Sequence, residues 1–371
     1  MKYYLIAGET SGDIHGANLM KSLIKSDPNA DFRFWGGDRM QHIGGVLVKH
    51  YRDLAFMGFI EVLFNLRTIF RNLSLCKKEL LTFQPDVLIL IDYPGFNLRI
   101  AEFARKNGIK VAYYISPQVW AWKKNRVHTI KRVVDKMMVI LPFEKDFYKK
   151  YNVDVEFVGH PLLDAIHNEP VTPAEEFRKR NQLSEQPIIA LLPGSRKQEV
   201  SKMLEQMLKM IPFYPDHQFI IGGVNTIDQE AYSSLTAGKR VKVVFNDMHG
   251  LLRSSKAALV TSGTATLETA LLQVPEVVCY KGNPISYMIA RKIVDIKYIS
   301  LVNLIMDKEV VKELIQGDLT EKNLKTELDL LLFDKDRINR LNNDYLKLIG
   351  ILGNAGASDR TAQLILELAH Q

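Results

Sequence analysis

At 371 residues the chain is longer than one domain usually runs, so two domains are expected, and 47% hydrophobic with 25% charged residues fits an ordinary globular protein. Its two cysteines, Cys76 and Cys279, exclude a disulfide framework and fit a reducing cytoplasm. No stretch reaches the ~20 apolar residues a membrane-crossing helix needs, the first residues turn polar too early for a signal peptide, and a formal charge of +7 points to an acidic partner: nucleic acid, anionic membrane or phosphorylated substrate.

Residues 3–7 read as a short strand, followed by Gly8-Glu9-Thr10-Ser11-Gly12-Asp13 and a helix over residues 14–25. The spacing is neither the G-x-G-x-x-G of a dinucleotide site nor a P-loop. A small polar loop at a strand's carboxyl end nevertheless lies where open α/β sheets bind ligands. Helix capping by Ser11 or Asp13 is the plainer role and is compatible with ligand binding. Residues 32–36 form the next strand, with a turn at Gly36-Gly37-Asp38. Residues 54–81 then carry apolar residues at helical spacing, and Phe56, Met57, Phe59, Ile60 and Leu63 help cover most of the circumference. Arg67, Arg71, Lys77 and Lys78 follow. Such a helix suits the edge of an anionic bilayer or an acyl groove; burial between the sheet and a neighbour is the alternative.

Residues 86–91 (DVLILI) are an apolar strand ending at Asp92. A carboxylate there stands where catalytic groups are usually placed, and half-burial would lift its pKa toward that of a general base. Capping a helix over residues 97–106 is the alternative. Another strand, 111–115, leads into SPQVWAWKKNR, where Trp120 and Trp122 flank Ala121 before a basic run. Tryptophan beside cations suits a membrane anchor, a sugar platform or a nucleic-acid contact, with packing as the plainer role for at least one ring. Strands at 136–140 and 155–158 follow, the latter running into Gly159-His160-Pro161. His160 has no partner at metal spacing, so a site-wall or hinge role is expected.

Residues 167–186 are polar and highly charged and read as a linker. Residues 188–192 are an apolar strand broken by Pro193-Gly194-Ser195, with helical spacing from Glu199 onward. Such a turn offers phosphate free N–H groups and a positive dipole end, and Arg196 can grip two phosphate oxygens. An ordinary loop with an exposed Arg is equally open. Strands follow at 218–222, 241–245, 257–260 and 277–280, with a short helix at 251–254. After the third of these comes TSGTATLETA, where Ser262, Gly263, Thr264 and Ala265 expose N–H groups to an anion. Glu268 lies about one helical turn further and could accept both hydroxyls of a ribose; a capping box is the alternative. Asn303, set among apolar residues in SLVNLI, is a candidate polar contact for substrate. Asp334-Lys335-Asp336 formally matches a D-x-D metal motif but reads as solvated surface, and a helix over 358–370 closes the chain.

Two strings of alternating strands and helices imply an α/β fold of two doubly wound, Rossmann-like domains facing a cleft. This layout resembles the B-type glycosyltransferases. AGETSGD, MGFIEVL, IDYPGFN, YISPQVWAW, LPFEKDFY, GHPLLD, LLPGSRKQEV, TSGTATLE and SLVNLI, in that order, closely resemble the lipid-A-disaccharide synthase family over essentially the whole chain. The resemblance implies an inverting transferase that uses no metal and no other cofactor. It would join UDP-2,3-diacylglucosamine to 2,3-diacylglucosamine 1-phosphate, giving the β-1,6 lipid A disaccharide 1-phosphate and UDP. The family's functional Asp, Arg and Asn fall on Asp92, Arg196 and Asn303, with Glu9, Asp13 and Ser11 also in place. Some members carry Asp where Gly95 stands, so no second carboxylate supports Asp92 here.

On this reading residues 1–167 form the acceptor- and membrane-facing domain and 168–350 bind the UDP-sugar. Residues 351–371 would form a helix packing back on the first domain. Asp92 would act as base, with Glu9 and Ser11 beside it. Gly194, Ser195, Arg196, Ser262, Gly263, Thr264, Ala265, Glu268 and Asn303 would hold the UDP-sugar. Phe56, Met57, Phe59, Ile60, Leu63, Trp120 and Trp122 would meet acyl chains or membrane, with Arg67, Arg71, Lys123, Lys124 and Arg126 meeting lipid phosphates. The expected location is cytoplasmic and peripheral on an anionic inner membrane, without nucleic acid and with a homodimer left open. A UDP-sugar epimerase or hydrolase on the same fold, and a non-catalytic membrane-attached nucleotide binder, are the alternatives.

Overall fold

The computed structural model describes residues 1–54, 66–122, 124–225, 227–284, 287–288, 291, 294 and 296–371. Phe56, Met57, Phe59, Ile60, Leu63 and Lys123, expected at acyl chains or membrane, lie outside the described residues. The chain divides into two compact units, Met1–Ala165 with Asn354–Gln371, and Ile166–Gly353. The stretch expected as a linker is instead structured. Helix Pro161–Asn168 ends in it, helix Ala174–Arg180 lies within it, and Phe177 is fully buried in the core of the second unit. A single well-placed aromatic outweighs the polar composition around it.

In the first unit β1 (Lys2–Ala7), β2 (Asp31–Gly36), β3 (Val46–His50), β4 (Val87–Ile91), β5 (Lys110–Tyr114), β6 (Lys136–Val139) and β7 (Glu156–Phe157) form a parallel sheet in the order β3-β2-β1-β4-β5-β6-β7. Alternate residues of the central strands feed two cores: Tyr4, Ile6, Leu88, Leu90 and Tyr113 on one face, Tyr3, Leu5, Ile89 and Tyr114 on the other. Burial on both faces is why these strands read as unbroken apolar runs. The edge strand β3 is only partly buried, so its sequence carries no such signal. Helices Leu66–Phe83, Pro94–Lys106 and Arg126–Val133 cover the first face. Helix Thr10–Ser26 and the returning helix Ala357–His370 cover the second. Thr10–Ser26 starts four residues earlier than its apolar spacing suggests, because its first turn packs small residues such as Gly12 against Ala7.

In the second unit β8 (Ile188–Leu192), β9 (Gln218–Gly223), β10 (Val241–Phe245), β11 (Ser255–Thr261), β12 (Glu276–Tyr280) and β13 (Lys312–Ile315) form a second parallel sheet, in the order β10-β9-β8-β11-β12-β13. Asp334 caps helix Lys335–Leu352, accepting the Arg337 N–H at 2.9 Å. Its D-x-D spacing is therefore helix chemistry. Among the described residues no helix is long and apolar enough to cross a membrane.

Candidate active site

Each sheet reverses its strand order once: between β1 and β4 in the first, between β8 and β11 in the second. Helices leave to opposite faces on either side of such a point, opening a crevice at the strands' carboxyl ends. Glu9 and Asp92 follow β1 and β4; the turn at 193–196 and the TSGTATLE segment follow β8 and β11. Four loops singled out from sequence thus stand at the two switch points.

In the first unit Ala7 pairs with Ile91, so residues 8–9 and 92–93 leave the sheet side by side. Gly8 has to be glycine, since a Cβ there would lie 2.4 Å from Cγ of Tyr93. Asp92 and Tyr93 both adopt left-handed backbone, with φ of 44° and 48°. This conformation is held from behind. The Tyr113 hydroxyl and Asn97 Nδ2 both donate to the Asp92 carbonyl, at 2.5 and 2.7 Å, and Asn97 reaches the Ile91 carbonyl at 3.3 Å. No side chain caps helix Pro94–Lys106, so Asp92 does not serve as a cap. Its side chain is open to solvent. Desolvation by the protein around it, with the Glu9 carboxylate as a second cause, pushes its pKa up to about 6, opposed by the Tyr93 N–H.

Glu9 and Ser11 are exposed at the start of helix Thr10–Ser26, and neither caps it. Asp13 turns away, accepting the N–H groups of Gly37, Arg39 and Met40 at 2.7, 3.1 and 3.1 Å, and so caps helix Asp38–Ile43. Trp120 packs edge-on against Phe143, ring centroids 4.9 Å apart, the plainer role foreseen for one tryptophan. Trp122 is 41% exposed, with the Arg126 guanidinium 5.7 Å from its ring. His160 is buried, and burial, with His15 as a second cause, pulls its pKa down to about 3, which leaves it neutral.

In the second unit three of the expected contact residues, Ser195, Ser262 and Asn303, are already hydrogen-bonded within the fold. At the turn after β8, Gly194 has a φ of 109° and Glu199 folds back over it. The Glu199 carboxylate accepts the Ser195 N–H at 3.2 Å, so that amide is not free for phosphate. Arg196 ends the turn exposed. After β11, Ser262 is taken up by structure, its N–H going to the Cys279 carbonyl at 3.1 Å and its hydroxyl to the Ile299 carbonyl at 3.0 Å. Gly263, Thr264 and Ala265 open helix Thr264–Leu271, where first-turn N–H groups have no intrahelical acceptor. Asn303, expected as a substrate contact, is fully buried and its amide is bonded within the fold. Its Oδ1 accepts from Val310 and Val311 N–H at 2.7 and 3.0 Å, and its Nδ2 donates to the Val311 carbonyl and the Glu313 carboxylate, each at 2.9 Å. Glu313 in turn accepts the N–H groups of Ile299 and Ser300, both at 2.9 Å.

Glu268 is half-buried and is not part of a capping box. Its Oε1 lies 2.7 Å from Nε2 of His249, whose other nitrogen pairs with Glu169. Burial works against protonation of His249, but the hydrogen bond and charge of Glu268 and the charge of Glu169 outweigh it, and its pKa is raised. Sequence reasoning passed over His249, Glu313, Tyr113 and Asn97. A lone His in DMHG carries no spacing signal, Tyr113 and Glu313 act on partners in other segments, and Asn97 turns back on carbonyls only five and six residues before it.

The Lipid-A-disaccharide synthetase family model matches residues 3–368. The chain belongs to the lipid-A-disaccharide synthase family. Curated relatives carrying that name include those of Syntrophus aciditrophicus (40% identical, over 98% of this chain and 97% of the relative), Geobacter sulfurreducens (36%, 98% and 96%) and Myxococcus xanthus (37%, 98% and 96%). Membership makes the chain an enzyme, a glycosyltransferase of lipid A biosynthesis acting on lipid-sugar substrates. Among solved structures it resembles a putative UDP-N-acetylglucosamine 2-epimerase from Listeria monocytogenes (TM-score 0.68, 12% identity, 99% of this chain and 95% of that one). It also resembles the glycotransferase of kitacinnamycin (TM-score 0.68, 14% identity, 99% of each chain). At such identities the likeness concerns the fold, which is the B-type glycosyltransferase class read from sequence.

Proposed function

We propose that the chain transfers the diacylglucosaminyl group of UDP-2,3-diacylglucosamine, with inversion, to the 6-hydroxyl of 2,3-diacylglucosamine 1-phosphate. The products are the β-1,6 disaccharide 1-phosphate and UDP. The observation that carries this reading is Asp92, solvent-open at a switch point with its pKa lifted to about 6. Such a carboxylate is ionised at neutral pH and still basic enough to take a hydroxyl proton in the transition state. It removes that proton as the oxygen attacks the anomeric carbon opposite the departing diphosphate. Glu9 keeps its proton affinity high, and Ser11 offers the acceptor a hydroxyl from the adjoining turn.

The leaving diphosphate gathers negative charge. Arg196 and the N–H groups of Gly263, Thr264 and Ala265 neutralise it, assisted by the helix dipole behind them. Gly194 supplies the turn that brings Arg196 there, and Glu268 accepts the ribose hydroxyls. Exposed Trp122 with Arg126, and exposed Phe70 between Arg67 and Arg71, support a peripheral position on the cytoplasmic face of an anionic inner membrane.

The test incubates purified protein with UDP-2,3-diacylglucosamine, with and without the 1-phosphate acceptor and a chelator. UDP and disaccharide are expected in equal amounts, only with acceptor and regardless of chelator. UDP release at the same rate without acceptor would mark a hydrolase, and an isomerised donor an epimerase; either would overturn the reading.

A further inference from the structure

His249, on helix Met248–Arg253, is buried between two carboxylates on other elements. Glu268 stands on helix Thr264–Leu271, 2.7 Å from Nε2, and Glu169, just past helix Pro161–Asn168, faces Nδ1. A neutral imidazole has one N–H and would turn a lone pair toward one of these carboxylates, whereas an imidazolium sets positive charge against both. The geometry therefore calls for the charged ring. Arg253, the remaining charged group acting on it, opposes that charge. Glu268 Oε2 has no hydrogen-bond partner among the described residues, and a carboxylate offers about four lone-pair sites. The imidazolium uses one and leaves the others for a ligand.

We propose that His249 is a positioning residue, holding the Glu268 carboxylate aimed to accept the vicinal hydroxyls of a uridine nucleotide's ribose. The inference rests on the reading of Glu268 given above. A charge-assisted bond fixes one carboxylate rotamer before the nucleotide arrives, so the ligand does not bear that ordering cost. When pH rises and the ring loses its proton, Glu268 loses this support and the nucleotide is held less tightly. The effect belongs to donor binding, so KM for the donor moves while turnover at saturation stays.

The test is calorimetric titration with UDP between pH 6.5 and 8.5 on the unaltered protein, His249→Gln, His249→Ala and Glu268→Gln, with Tm recorded for each. Glutamine can donate one bond to Glu268 but carries no charge. Relative to His249→Gln, the unaltered protein should bind UDP roughly five- to tenfold tighter at the low end of the range and lose that advantage toward the high end. This comparison cancels the titration of UDP itself. His249→Ala should bind more weakly than His249→Gln throughout. Should His249→Gln keep both the affinity and the pH dependence of the unaltered protein, or change Tm alone, the positioning role is overturned. Should Glu268→Gln bind UDP undiminished, the ribose reading fails, a result distinguishable from failure of the His249 role alone.

Discussion

Asp92 and Glu276 are both carboxyls with raised pKa, and their surroundings assign them different work. Asp92 opens to solvent beside Glu9, so protons and substrate can reach it. Asp92→Asn should lower the transfer rate by roughly 10²–10⁴ with Tm unchanged, read from initial rates and calorimetry. In the unaltered protein kcat/KM should fall as pH drops through about 6, because protonation removes the base. Glu9→Gln should shift that limb to lower pH, since a repelling carboxylate is gone. Glu276, in contrast, is buried in β12 with neither oxygen bonded among the described residues, and burial pushes its pKa well above the usual carboxylate range. A pKa raised by folding favours the folded state below the unfolded value of about 4.3, and that benefit is lost as pH rises through the folded value. Glu276→Gln should therefore flatten the decline of Tm between pH 5 and pH 8, followed by scanning calorimetry.

Single elements explain why some residues matter without touching substrate. Helix Leu301–Met306 is capped by the Ser300 hydroxyl, and Asn303 stitches it to Val310, Val311 and Glu313. Asn303→Ala would leave buried N–H groups unmatched, at about 1–3 kcal/mol each. A Tm several degrees lower is expected, with UDP affinity per folded molecule within about threefold of normal. If the Tm holds and affinity collapses, Asn303 is a ligand contact after all. The elements themselves were readable: VLILI and IIALL show two-sided burial directly in their composition, and the loops following β1, β4, β8 and β11 carried small and charged residues at strand ends. Partnerships were not readable. Nothing in SLVNLI says that the amide of Asn303 faces Val311 rather than solvent, and nothing in LLPGSRKQE says that Glu199 will close on Ser195. Those outcomes depend on which donor or acceptor the fold brings within 3 Å. The helix at 174–180 was missed for a related reason, since one buried Phe177 anchors an otherwise charged segment.

For the molecule as a whole, net charge and exposed aromatics bear on where it works. Trp122 with Arg126, and Phe70 flanked by Arg67 and Arg71, put apolar rings beside cations on the first unit's surface. Each cation near an anionic surface contributes about 1 kcal/mol. Trp122→Ser combined with Arg126→Ser should weaken partitioning onto anionic vesicles by about tenfold or more, measured by flotation, and added salt should narrow the gap. Equal flotation of both proteins would place the contact elsewhere.

The returning helix Ala357–His370 bears on how the polypeptide is made. Asp164 accepts the N–H groups of Gly356, Ala357 and Ser358, and Ile365 and Leu368 complete one core of the first sheet. Everything from Ile166 to Gly353 must leave the ribosome before that helix can dock. At 5–20 residues per second this takes roughly 10–40 s. For that interval the part of one sheet face over β5 and β6, Tyr114 and Met138 among it, stands bare in the cell, a natural target for chaperones. A nonsense codon late in the message would strand the nascent protein there, half covered, with its second unit already folded.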